Sequence, residues 1–168
     1  HANWNRLDWL LIVLLGAVAF GLRIYLLDEA FPPAREDEGF QGLLTLQARY
    51  GFQPDTGYEP LPLFGAGWFG HPTLFYFLQA GAMAVFGESL VGMRMLSVII
   101  GAACAPTMYI LGKLGWGRIA GFSAGWLLAV SHFHIQYSRM ALQNIETVWL
   151  MIILACCLLM AYRDLHKE

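Results

Sequence analysis

The densest group of charged residues in the sequence lies in the stretch "PPAREDEGFQGLLTL", where Arg35, Glu36, Asp37 and Glu38 follow one another. The chain is 58% hydrophobic and only 13% charged, so such a group needs a reason. A carboxylate held within hydrogen-bond reach of a reacting proton can act as a general base. A carboxylate at a helix start is also favoured by capping and by the helix dipole. Asp37 and Glu38 are therefore candidates for catalysis or for helix capping.

A second polar group lies in "HFHIQYSRMALQNIETVWL", which contains Arg139, Asn144 and Glu146. The planar guanidinium group of arginine binds phosphate oxygens through paired N–H donors. This group predicts a cluster that meets the first acidic loop and binds an anionic group. The alternative is an ordinary interfacial loop in which Arg139 contacts lipid head groups.

Long apolar segments place these polar groups in a membrane protein. The mean hydropathy of +0.53 over 168 residues is too high for an ordinary soluble domain. A membrane-spanning helix needs about 20 mostly apolar residues. The sequence predicts an all-α polytopic fold with about four transmembrane helices, near residues 9–27, 92–112, 119–138 and 146–163.

A fifth apolar stretch, 72–86, follows a segment rich in proline and glycine and is short for a span. Cytoplasmic loops tend to be rich in Lys and Arg. If 72–86 lies at the membrane interface, Arg6, Lys113, Arg118, Arg163 and Lys167 all fall on one side. This predicts a long extracytoplasmic loop over 28–91, with juxtamembrane helices near 37–50 and 72–86, and cytoplasmic chain ends.

Polar residues near the ends of the predicted spans favour structural interpretations. Arg23 is close enough to one end for its side chain to reach the interface. Glu88 and Arg94 are predicted to pair near the outer end of the second span. His132 and His134 are two residues apart, so they should point to different faces of a helix and serve packing or interface roles.

Composition excludes several functional classes. A net charge of −2 provides no basic surface for nucleic acid. The three cysteines lie in apolar runs, which indicates neither a disulfide framework nor a metal site.

Two alternatives to an enzyme are a transport or channel subunit and a non-catalytic membrane scaffold. Because the chain begins with His1 and ends just after an apolar span, we expect it to be part of a longer protein.

Four sequence segments, in this order, resemble one family: "REDEGFQ" after the first span, then "GHPTLFYFLQAGAMAVFGESLVGMRMLS", "LGKLGWGRIAG" and "SHFHIQYSRMALQN". Together they resemble the N-terminal part of the GT-C membrane glycosyltransferases. The most similar branch contains the protein O-mannosyltransferases and the lipid A aminoarabinose transferases. The resemblance runs from Trp9 to about Arg163.

The resemblance implies a catalytic carboxylate at Asp37, with Glu38 beside it, and substrate-binding residues at His71, Arg139, Asn144 and Glu146. It implies a polyprenyl-phosphate sugar donor and an acceptor of unknown type, both used at the extracytoplasmic face of the membrane. We expect an integral protein of a prokaryotic plasma membrane, in contact with the membrane lipids. Sugar transfer would proceed with inversion. Asn144 stands where aspartate is commoner, and "HPT" replaces the usual "PP". These departures leave open a divalent metal at Asn144 and Glu146, and a fragment alone is expected to be inactive.

Overall fold

The computed structural model describes residues 4–29, 36–62 and 73–166. The described residues form seven helices, with no strand among them. The predicted all-α fold is therefore confirmed. The helices are α1 (Arg6–Ile24), α2 (Glu36–Tyr50), α3 (Leu74–Phe86), α4 (Leu90–Trp116), α5 (Arg118–Val130), α6 (His132–Ser138) and α7 (Asn144–Leu165).

Three of these helices, α1, α4 and α7, are long and apolar enough to cross a membrane, with 19, 27 and 22 residues. The segment predicted as a third span, 119–138, consists of two shorter helices, α5 and α6, which break at Ser131. The Ser131 side chain caps α6 by accepting from the His134 N–H. Neither helix is long enough to cross alone, so a span built from both stays a prediction.

The chain divides into two compact units. The helical unit comprises His1–Tyr25, Val98–Arg139 and Asn144–Glu168. The loop unit comprises Leu26–Ser97 and Met140–Gln143. Helix α4 contributes its first turns to the loop unit and its remaining length to the helical unit.

Small residues let the helices of the helical unit approach closely. Ala19, Ala102, Ala105 and Ala129 form one buried cluster. A Cβ added at Gly125 would lie 2.9 Å from the Ala105 carbonyl oxygen, closer than such atoms normally approach. This close approach is typical of helix packing in membranes. There the hydrophobic effect does not drive helices together, and small residues let the backbones approach closely enough for van der Waals packing to do so.

Asp8 holds the starts of α1 and α5 and the end of α4 together. Its side chain is fully buried and lies 2.5 Å from Lys113 Nζ and 2.9 Å from Arg118 Nε. The Tyr109 hydroxyl donates to the same carboxylate at 2.5 Å. Asp8 also forms a capping box with Asn5. A single buried carboxylate thus connects three helices of the helical unit.

Arg23 does not extend to the interface, and that prediction was wrong. Its side chain is fully buried and donates to the carbonyl oxygens of Ala19, Leu128 and Ala129 at 2.7, 3.4 and 3.2 Å. It also donates to His134 Nδ1 at 2.8 Å. The last carbonyl groups of a helix have no partner within the helix, so Arg23 caps the C-terminal end of α5 where the chain breaks.

The two histidines of this region differ as the sequence predicted. His134 is buried and contacts Arg23, whereas His132 is exposed. Their separation by two positions places them on different faces of α6, and the buried member has a packing role.

The loop unit is organised by helices α2 and α3, which pack on each other through a buried apolar cluster that includes Leu44, Ala48, Phe75 and Tyr76. A buried polar network lies beside this cluster. Thr45 contacts Gln79, and Gln79 Nε2 donates to the Met93 carbonyl oxygen at 3.1 Å. The network connects α2, α3 and the start of α4. Helix α3 ends at Gly87, whose φ of 97° is readily adopted only by glycine.

Candidate active site

Asp37 and Glu38 lie in the first turn of α2 but in different surroundings. Asp37 is exposed, whereas Glu38 is only 1% exposed. Consecutive residues of an α-helix point about 100° apart, so one face of α2 can be buried while its neighbour stays open. The adjacent carboxylates are therefore not interchangeable.

Glu38 is held by a buried two-point contact with Arg94. The Arg94 Nε and Nη2 atoms donate to Glu38 Oε1 and Oε2 at 2.9 and 2.8 Å. The Arg94 side chain is fully buried, and the Glu38 side chain is 2% exposed. Arg94 also donates to the Leu27 carbonyl oxygen at 3.3 Å. This geometry is the paired arrangement in which arginine binds a carboxylate most strongly.

The predicted pair of Glu88 with Arg94 was wrong. Glu88 instead accepts from Arg49 at 2.8 Å, and it also contacts the Tyr50 hydroxyl group. The hydrogen bond to Glu88 raises the pKa of Tyr50. Proximity in sequence had favoured the pair with Arg94, but Glu88 precedes α4 and faces the end of α2.

The segment after α6 meets the acidic loop at Glu38. The Ala141 N–H donates to Glu38 Oε1 at 2.9 Å, and both residues are buried. Ala141 also packs against Met83 and Met93 in an apolar cluster. The sequence had predicted that the cluster of Arg139, Asn144 and Glu146 meets the first loop, and that contact stays a prediction; the contact found within the loop unit is made by Met140–Gln143.

An open cleft of about 600 Å³ runs along one face of α2, beginning at Glu38. Gly39 and Gly42 leave that face of the helix without side chains near Glu38. Tyr50 and Tyr58 line the other end of the cleft, with their rings stacked at a centroid distance of 6.1 Å. The cleft can therefore accommodate an extended molecule next to the buried carboxylate.

Arg139, Asn144 and Glu146 belong to the helical unit. Arg139 is half-buried and donates from Nη2 to the Tyr25 carbonyl oxygen at 2.8 Å, which orients its guanidinium group. Asn144 is exposed at the first position of α7, and Glu146 is half-buried two positions later. Side chains two positions apart on a helix diverge, so Asn144 and Glu146 do not converge on one point from α7 alone.

The sequence left open a divalent metal site at Asn144 and Glu146, and the described parts of the chain contain no cluster of ligands for it. Residues 4–29, 36–62 and 73–166 contain no group of three His, Cys, Asp or Glu side chains that could hold an ion. An asparagine and a glutamate that diverge do not make such a site by themselves.

His71 lies outside the described residues. Asp37 and Glu38 lie in the loop unit, whereas Arg139, Asn144 and Glu146 lie in the helical unit. Their assembly into one active site stays a prediction.

Sequence reasoning missed two residues that define the surroundings of the acidic pair. Arg94 had been paired with the wrong carboxylate, and Ala141 carries no side-chain signal, because it contributes only its backbone N–H. The one available signal for Arg94 was its position near the start of α4, whose only other charged residue, Lys113, lies in the last turn. A charge buried there needs a partner from elsewhere in the chain.

Comparison with known proteins gives one family match. The model of the family described as dolichyl-phosphate-mannose-protein mannosyltransferase matches residues 70–167, which is more than half of the chain. No curated protein and no solved structure matches the chain. The matched range contains Arg94, Arg139 and Asn144, and it begins after Asp37 and Glu38.

The match agrees with the apolar helices of the chain, three of which can cross a membrane. Both findings identify an integral membrane protein of the GT-C glycosyltransferase class, whose members use a lipid-linked sugar donor and an acceptor. The chain belongs to the dolichyl-phosphate-mannose-protein mannosyltransferase family.

Proposed function

We propose that the protein that contains this chain transfers a sugar from a polyprenyl-phosphate carrier to an acceptor at the extracytoplasmic face of the membrane, with inversion at the anomeric carbon. The family match over residues 70–167 carries this proposal. Mannose is the first sugar to test, because the family description names it. The acceptor is a hydroxyl or phosphate oxygen of a protein, lipid or glycan.

Asp37 is the proposed general base. The acceptor oxygen attacks the anomeric carbon, its proton passes to the Asp37 carboxylate, and the bond between that carbon and the carrier phosphate breaks. The electrons of that bond leave with the polyprenyl phosphate. The exposure of Asp37 supports this role, since an acceptor must reach the base directly.

Glu38 is proposed to position Asp37. Its oxygens already accept from Arg94 and from the Ala141 N–H, so proton transfer to Glu38 would break a buried ion pair. The same contacts fix the first turn of α2, and Asp37 shares that turn. Accurate positioning of a reacting group is a large part of catalysis, and small displacements lower the rate strongly.

Arg139 is the proposed ligand of the carrier phosphate. A phosphate ester leaves as a stable anion, so the leaving group needs cationic contacts more than a strong acid. The hydrogen bond to the Tyr25 carbonyl oxygen orients the guanidinium group. His71, Asn144 and Glu146 complete the proposed binding residues.

The proposed orientation places both ends of the described chain in the cytoplasm. Asp8 brings Lys113 and Arg118 together at the start of α1. This contact supports the placement of Arg6, Lys113 and Arg118 on one side of the membrane, in agreement with the rule that cytoplasmic loops are rich in Lys and Arg.

Sugar transfer by the full-length protein in membranes tests this function. Wild type and Asp37→Asn would be compared with polyprenyl-phosphate mannose as donor, and Asp55→Asn serves as the control because Asp55 is another exposed carboxylate of the loop unit. We expect Asp37→Asn to lower kcat by about a hundredfold or more, as for removal of a general base. The control should keep wild-type turnover. Normal turnover by Asp37→Asn would eliminate it as the base.

A further inference from the structure

The Arg23 side chain bridges the break between α5 and α6 with a single nitrogen atom. Its Nη2 donates to the Leu128 carbonyl oxygen, before the break, at 3.4 Å and to His134 Nδ1, after the break, at 2.8 Å. Its Nη1 donates to the carbonyl oxygens of Ala19 and Ala129 at 2.7 and 3.2 Å. The guanidinium group is planar and rigid, so these contacts fix the angle at which α6 leaves α5.

The contact with His134 has no part in capping α5. Capping involves only the carbonyl groups at the end of that helix, and a neutral donor could satisfy them at a lower cost than a buried charge. Arginine has no acceptor atom, so His134 Nδ1 must accept, and the ring is neutral with its proton on Nε2. The Arg23 and His134 side chains are both buried, which protects this hydrogen bond from competition with water. The contact therefore serves α6 rather than α5.

Helix α6 depends on its neighbours for its direction. It has seven residues, too few for a helix to be stable alone, and it packs against α1, α5 and α7. Its C-cap residue is Arg139, whose Nη2 donates at 2.8 Å to the carbonyl oxygen of Tyr25, the C-cap residue of α1. One contact from Arg23 to His134 and another from Arg139 to Tyr25 thus attach both parts of α6 to the end of α1.

Ser138 connects His134 with Arg139. The Ser138 hydroxyl group donates to the His134 carbonyl oxygen at 2.5 Å and lies 3.3 Å from Nδ1 of the same residue. Helix α4 packs tightly on this group, because a Cβ added at Gly101 would lie 2.5 Å from Ser138 Cβ and 3.3 Å from Arg23 Nε. Ser138 is fully buried and directly precedes Arg139, so these contacts restrict the end of α6 that carries the Arg139 side chain.

We propose that Arg23 and His134 are positioning residues for sugar transfer, which hold α6 in the direction that points the Arg139 guanidinium group at the carrier phosphate. The inference rests on the proposed function, in which Arg139 binds that phosphate. Without the His134 contact, α6 can pivot about its attachment to the Tyr25 carbonyl group, and the guanidinium group moves with it. A small displacement of a binding group lowers the rate strongly.

The kinetic test compares His134→Phe with His134→Asn in the full-length protein in lipid nanodiscs, with undecaprenyl-phosphate mannose as donor. Phenylalanine keeps a ring but offers no acceptor to Arg23, whereas the asparagine side chain carries an acceptor oxygen close to the position of Nδ1. We expect kcat/KM of His134→Phe to fall about tenfold, as for a displaced binding group, and His134→Asn to recover most of this loss. Wild-type kinetics for His134→Phe, or no recovery by His134→Asn, would overturn the proposal.

A double-mutant cycle separates positioning from a merely structural role. Binding of citronellyl phosphate, followed by phosphorus NMR titration, would be measured for His134→Phe, for Arg139→Met and for the two combined. If His134 acts through Arg139, His134→Phe should weaken binding about tenfold in the wild-type background but by less than about twofold in the Arg139→Met background. Equal weakening in the two backgrounds would refute the positioning role.

Two further variants guard against a folding defect. Asp8→Asn disturbs the ion pairs at the opposite end of α1, so it should leave the Kd for citronellyl phosphate unchanged, and weakening as large as that of His134→Phe would also overturn the proposal. Arg23→Lys keeps the buried charge but lacks the planar fork that spans the break, and it replaces His134→Phe in the cycle if that variant does not fold. No transfer by wild type would refute the proposed function and this inference with it, whereas transfer by wild type with additive changes refutes the positioning role alone.

Discussion

The buried contact of Glu38 with Arg94 should dominate the stability of the loop unit, and its removal can be predicted quantitatively. Glu38→Gln keeps the size of the side chain but removes its charge and one of its two carboxylate oxygens. Arg94 would then stay fully buried opposite a neutral amide. The amide nitrogen is a donor, so it cannot accept from either Arg94 or the Ala141 N–H.

The expected cost follows from the burial of the pair. Removing one partner of a buried ion pair costs about 3–5 kcal/mol, because the remaining charge stays in a medium of low polarity. We expect Glu38→Gln and Arg94→Met each to lower the free energy of unfolding by about 3 kcal/mol or more.

The double variant Glu38→Met with Arg94→Met should lose much less than the sum of its parts. It buries no charge and approximately fills the same volume, which leaves mainly the Ala141 N–H without its acceptor, at a cost of about 1–3 kcal/mol. Such non-additivity is the expected behaviour of residues in direct contact.

Unfolding of the purified full-length protein in detergent micelles, followed by denaturant titration and by melting temperature, measures these differences. The contact of Arg49 with Glu88 is a matched control, because its atoms are also 2.8 Å apart but its side chains are 22% and 48% exposed. Glu88→Gln should change stability by no more than about 1 kcal/mol, as for other exposed ion pairs. Additive effects at Glu38 and Arg94, or losses no larger than the control, would refute the reasoning.

Three further predictions concern the helical unit, and thermal unfolding checks each of them. Asp8→Asn removes the carboxylate that Lys113 and Arg118 share and should lower the melting temperature. A melting temperature within error of wild type would contradict this. Arg23→Met leaves the end of α5 without its cap and should lower the free energy of unfolding by about 2 kcal/mol, at the upper end of typical capping effects. An unchanged melting temperature would mean that the carbonyl groups find other donors. Gly101→Ala places a Cβ 2.2 Å from Ser138 Oγ and should cost about 1–3 kcal/mol by overpacking, with recovery when Ser138→Gly is added. Gly21→Ala is the control, because a Cβ at this position meets nothing within 4 Å, and it should be neutral or slightly stabilising. A loss of stability as large as that of Gly101→Ala would reject the steric explanation.

Periodic and compositional patterns predicted much of the fold. Apolar length identified α1, α4 and α7. The break at Ser131 could not be predicted from apolar length, because the segments on both sides of it are apolar. The break is held by Arg23 on another helix, more than 100 positions away in sequence.

The site was predicted less completely than the fold, because its contacts depend on which charges meet in three dimensions. Sequence proximity suggested Glu88 for Arg94, whereas Glu38 lies 56 positions away. The contact of Ala141 uses a backbone group, which every residue except proline carries, so composition gives no indication of it. The resemblance placed the acidic pair in the first loop, but it did not distinguish the surroundings of its two members.

The distribution of these contacts also bears on the range of the family match. The match begins at residue 70, after the acidic pair, yet two groups that donate hydrogen bonds to the Glu38 carboxylate, Arg94 and Ala141, lie inside it. The matched segment therefore contributes the donors that fix the first turn of α2, although the turn itself lies outside the match. Since Asp37 is one position from Glu38 on the same turn, any change at Arg94 that moves Glu38 must also move Asp37. The Arg94 contact is thus the physical connection between the part of the chain that identifies the family and the carboxylate proposed to carry out its chemistry.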